Sequence, residues 1–111
     1  MKQGTKGVER RTVTALTAIK KTLEEGEGDS SVALFVSHHL AELKAAYWKM
    51  HAGTPRPSPK KVLDLLELRS HWGGEDGIDV FDFTLPGKVT NYVISVRFDE
   101  NGDVRGVEME S

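Results

Sequence analysis

Tyr92, Ile94, Val96 and Phe98 alternate strictly with Val93, Ser95, Arg97 and Asp99. A helix would scatter those four apolar side chains around its axis, whereas a strand places them all on one face. The pattern therefore requires a sheet with one buried side, the habit of antiparallel sheets. Asn101–Gly102 follows at once and predicts a type I′ hairpin, because both central residues of that turn need φ > 0. Beyond it, Val104, Gly106, Glu108 and Glu110 are expected on one face of a last strand, with Arg105, Val107 and Met109 on the other. Upstream, Ile78, Val80, Phe81, Phe83 and Leu85 read as a strand with a wide apolar face or a bulge, closed by Pro86–Gly87. Leu66 to Trp72 suits a further strand, ended by the loop Gly73–Gly77.

The first half has a different period. Val8, Thr12, Ala15, Leu16, Ile19 and Leu23 recur at helical spacing. Gly26 and Gly28 are expected to stop that helix, and Asp29, Ser30 or Ser31 to cap a second one running to about His51. The second stripe is Val32, Phe35, Val36, Leu40, Leu43, Tyr47 and Met50. Three prolines in Gly53–Pro59 prevent its continuation. Ser58 before Pro59 then predicts an N-cap and a short helix to about Leu66.

These segments predict a single α+β domain: two long helices and a short helix packed on a three- or four-stranded antiparallel meander sheet. Its parts are a flexible head at 1–7, a helical hairpin at 8–52, a Pro-rich connector at 53–59, and the short helix with the sheet at 60–111. The expected core is Leu16, Ile19, Leu23, Phe35, Val36, Leu40, Leu43, Tyr47, Leu63, Leu66, Phe83, Tyr92, Ile94, Val96 and Phe98. A chain of 111 residues suits one such core.

Charge is divided unevenly. Residues 1–61 hold 11 Lys/Arg against 6 Asp/Glu, and residues 62–111 hold 4 against 11, so +5 and −7 make up the net −2. An acidic sheet half steers a basic partner towards it and disfavours nucleic acid there. Lys2, Lys6, Arg10 and Arg11 form only a brief basic cluster, shared with Glu9. Neither a signal peptide nor a membrane span is expected, since Met1–Gly7 is polar and no run of about 18 apolar residues occurs. With no cysteine, disulfides and thiolate chemistry are excluded, in keeping with a cytoplasmic protein.

No catalytic constellation stands out, and no cofactor or resident metal is expected. His38, His39 and Glu42 form the one cluster that could attract a metal or serve acid–base chemistry. Adjacent histidines point about 100° apart on a helix, however, and the H-E-x-x-H spacing is missing. Ser37 beside His38 lacks a nucleophile elbow. Asp99 to Asp103 is bounded by strands rather than by the helices of a calcium loop. Gly73–Gly77 contains two acids and no P-loop lysine. Protein binding fits better, with Trp48 and Trp72 as candidate anchors. Glu75, Asp76, Asp79 and Asp82, together with Glu108 and Glu110, are the candidate steering groups.

Val80–Pro86 and Val89–Asp99, with the helix Phe35–Leu43 upstream, resemble a family of small bacterial proteins of uncharacterised function. The resemblance implies a cytoplasmic stand-alone protein of the kind that accompanies polymorphic toxins as an immunity protein. It carries no catalytic residue. The leading expectation is thus a non-enzymatic module that neutralises a basic toxin domain through an acidic surface. The alternatives are a small metal-dependent hydrolase using His38, His39 and Glu42, and a regulatory homodimer pairing through an edge strand.

Overall fold

The computed structural model describes residues 3–25, 31–73 and 79–110, with side chains from residue 9 onward. Among these residues the chain forms helices α1 (Gln3–Glu24), α2 (Ser31–Glu42), α3 (Ala45–Ala52) and α4 (Pro59–Asp64). Strands β1 (Glu67–Gly73), β2 (Asp79–Thr84), β3 (Val93–Phe98) and β4 (Val104–Glu110) follow. The strands pair in sequence order as an antiparallel open sheet. The expected α+β meander is the fold observed. No helix among the described residues is long and apolar enough to cross a membrane.

One face of the sheet meets the helices. Phe81, Phe83, Ile94, Val96 and Phe98 share a core with Ala15 and Ile19 of α1, Val32, Phe35 and Val36 of α2, Trp48 of α3, and Val62 and Leu63 of α4. Each large apolar side chain so buried contributes about 1.5–3 kcal/mol. Leu16, Leu23, Leu40, Leu43, Tyr47 and Tyr92, expected in the core, pack against its margin. α4 starts as its sequence predicts: the Ser58 hydroxyl accepts the Lys61 amide proton at 3.2 Å, with Pro59 in the first turn. Lys20 and Asp64, 2.7 Å apart, tie α1 to α4. Arg11 pairs with Asp79 and lies over the Phe98 ring, so α1 also grips the sheet.

Four local expectations change. α1 begins at Gln3, so most of the head expected to be flexible is helical; once a helix is nucleated, each further residue adds a hydrogen bond at little cost. The second long helix is broken at Leu43–Lys44, where Lys44 is extended at φ −75°, ψ 155°. That break turns α3 so that Trp48 enters the core while Met50, on the predicted stripe, is exposed. Burying an indole outweighs the few tenths of a kcal/mol by which Leu, Lys and Ala favour an unbroken helix.

The hairpin turn is not type I′, since Lys88 is the one described non-glycine residue with positive φ. Instead the Asp99 carbonyl accepts from the Gly102 amide at 2.9 Å. The Asp99 carboxylate accepts from the amides of Asn101 and Asp103. Gly102 alone takes φ +85°, the three-residue loop that ends in a left-handed glycine.

Bulges, finally, lie in β1 and β4 rather than in β2. Leu68 pairs with Phe83 and Ser70 with the next residue, Asp82, leaving Arg69 extra. Arg97 pairs with Gly106 and Phe98 with Val104, leaving Arg105 extra. The second bulge moves Val104 to the core face with Val107 and Met109, not to the side of Glu108 and Glu110.

The two tryptophans sit in opposite environments, Trp48 at 2% exposure and Trp72 at 53%. Iodide is expected to quench one emitting population and spare the other. Trp72→Phe should leave only blue-shifted, unquenched emission.

Candidate functional site

The helices leave the second face of the sheet open, and strand register decides what it carries. Because paired residues share a face, one row reads Ser70, Asp82, Ser95, Glu108 and the next Trp72, Val80, Arg97, Gly106. Glu67 pairs with Thr84, and Val93 with Glu110, at the end nearer the β2–β3 connection. Carboxylates at Glu67, Asp82, Glu108 and Glu110 thus face outward with Arg97, which bonds Glu108 at 3.4 Å. Among the residues that pair across the sheet, four acids against one base leave this register negative. Its centre is firm: Ser95 and Val93 are buried although no helix covers them, and the Ser95 hydroxyl donates to the Asp82 carboxylate.

Trp72 reaches this face because of the Arg69 bulge. In a regular strand Leu68, Ser70 and Trp72 would lie on one side, and Leu68 packs on the core. The extra residue reverses the sides beyond it. His71 therefore turns to the core side, stacked on Phe81 at 5.1 Å, and Trp72 turns outward beside Val80. The structure places the other candidates differently. Trp48 is in the core. Asp79 belongs to the core-side register opposite Phe98 and is engaged by Arg11. Asp82 is on the open face, while Glu75 and Asp76 lie outside the described residues. Glu108 and Glu110 join the face as their alternation with Val107 and Met109 predicts, whereas Glu67 joins it through a pairing with Thr84 that no local pattern announces.

The histidine cluster is built into the fold. His39 is 1% exposed. Its Nδ1–H donates to the Phe35 carbonyl at 2.7 Å, so Nε2 is the acceptor for the Thr90 hydroxyl at 2.9 Å. Thr90 in turn accepts the Tyr92 amide proton at 3.1 Å. Burial is the main force lowering the His39 pKa, with the neighbouring His38 adding to it; the Phe35 hydrogen bond and the Glu42 charge oppose it. His38 packs edge-on against His39 and Tyr92, and Ser37 donates to the Leu34 carbonyl. Both His39 nitrogens are therefore occupied. Among the described residues, no three His, Asp or Glu side chains are grouped to hold a metal ion.

A second tie is made by Tyr47, whose hydroxyl donates to the Pro86 carbonyl at 2.7 Å. Burial, and then the Glu67 charge, push its pKa up to about 12, so it remains a donor at neutral pH.

Neither a protein-family model, nor a curated protein, nor a solved structure matches the chain.

Proposed function

We propose that the chain is a non-enzymatic protein-binding module that captures a basic protein on the open face of its sheet. The observation that carries this reading is Trp72, half-exposed beside Val80 on a face whose paired positions hold four carboxylates and one arginine. Trp72 stands on the edge strand β1, with Asp82 and Glu108 across the adjoining row; exposed tryptophan is a common interface anchor, and nearby charge sets the encounter rate. The scale also matters. Strands about 4.8 Å apart and about 20 Å long give roughly 400 Å² of flat face, half of the ~800 Å² per partner in a standard interface. The contact therefore extends onto the flanking loops. An immunity-type inhibitor of a basic toxin domain is the most specific form of this proposal, and the acidic pairs of the open face are what favour it.

The test is capture from a lysate of the source organism by the immobilised chain and by its Glu108→Lys/Glu110→Lys variant in parallel. One basic protein held in stoichiometric amount, released by salt and missed by the variant, supports the reading. Equal capture by both proteins, or self-association in place of a partner, overturns it.

A further inference from the structure

Between the start of β1 and the β2–β3 connection lies a cleft of about 730 Å³, within the size range of small-molecule sites. Its charged lining residues are Glu67, Arg69 and Lys88, and its apolar ones Leu68 and Leu85. We propose that this cleft binds a small organic monoanion, a carboxylate with a short apolar body. The head would sit between Arg69 and Lys88 and the body against the partly exposed Leu68.

Three independent features converge there. Arg69 is the extra residue of the β1 bulge, a device that re-aims a side chain. Lys88 is held at φ 54°, after Gly87 at φ 90°. L-residues avoid that region, and such strain concentrates where a ligand is held. The connection presenting Lys88 is also fixed on both sides, by the Tyr47 bond to Pro86 and the Thr90 bond to His39. The backbone that carries Lys88 is thus fixed before any ligand arrives.

Charge and donor accounting select the ligand. Among the described residues, neither Arg69 nor Lys88 pairs with a carboxylate. With Glu67 the lining sums to +1, which suits a monoanion better than a phosphate dianion. The two threonine hydroxyls of the lining have no proton to offer, since Thr84 donates to the Tyr92 carbonyl and Thr90 to His39. Of the side-chain donors in the lining, an anion is therefore left with Lys88, Arg69 and the Asn91 amide.

The experiment is an amide NMR titration of the full chain at low salt with benzoate, its neutral analogue benzamide, and phenyl phosphate. Saturable shifts confined to residues 67–69 and 84–91 are expected with benzoate and not with benzamide. Lys88→Gly, which suits a positive φ and so preserves the fold, should weaken binding roughly 3- to 5-fold, as should Arg69→Gln. Glu67→Gln should tighten it. Equal response to benzamide, tighter binding of phenyl phosphate, or unchanged affinity in Lys88→Gly would each overturn the proposal.

Discussion

Trp72→Ala is expected to weaken capture of the basic partner by about 30-fold or more, the effect of truncating an interface hot spot worth at least ~2 kcal/mol. Folding stability should scarcely change, because the side chain is half-exposed on a face no helix covers. Trp48→Ala should do the reverse, costing about 3–5 kcal/mol of stability through the cavity it leaves. Comparing the two separates binding from folding. Charge reversal at Glu108 and Glu110 should act on the association rate and flatten its salt dependence, because rim charges govern encounter more than residence. Those two are better targets than Asp82, which also holds Ser95, or Glu67, which lines the cleft. Surface plasmon resonance over a salt series reads both rate constants; an unchanged dissociation rate in Trp72→Ala would remove Trp72 from the interface.

His39→Ala is expected to destabilise the fold by about 3 kcal/mol, since it empties a buried ring site and leaves the Thr90 hydroxyl without its acceptor. The wild-type chain should also lose stability in acid, and the sign follows from the direction of the shift. Burial lowers the folded pKa of His39 below 6.5, so on acidification the unfolded chain takes up the proton first. The stabilisation is complete above about pH 6.5 and is lost as pH falls through the lower, folded value. His38 reinforces the lowering, and the Phe35 bond and Glu42 oppose it. His39→Phe keeps the packing against Phe35 without a titrating group. Urea unfolding at pH 7.5 and pH 5 should show the acid loss in wild type and its reduction in His39→Phe. Equal pH dependence in both would assign the loss to other groups.

Much of the fold is legible because local and long-range demands agree. The alternation through β3 holds in register, with Ile94, Val96 and Phe98 fully buried, and the Ser58–Pro59 start of α4 needs nothing beyond its own residues. The binding face is harder to read. Trp48 and Trp72 look alike in sequence, each preceded by an aromatic or a histidine, yet one fills the core and the other faces solvent. Nothing local to Leu43–Lys44 breaks a helix, and no glycine marks the Arg69 bulge.

Short-range pattern suffices for the α+β class, the antiparallel sheet, the start of α4 and most of the core, because periodicity and caps are written within a few neighbouring residues. Tertiary structure decided the break between α2 and α3, the two bulges, the hairpin turn and the side of the sheet on which Trp72 stands. These are settled by contacts distant in the chain: Trp48 is fitted into the core, Tyr47 reaches Pro86, and β1 is registered against β2. One extra residue reverses a strand's faces, and no pattern confined to that strand reveals where its neighbour requires it.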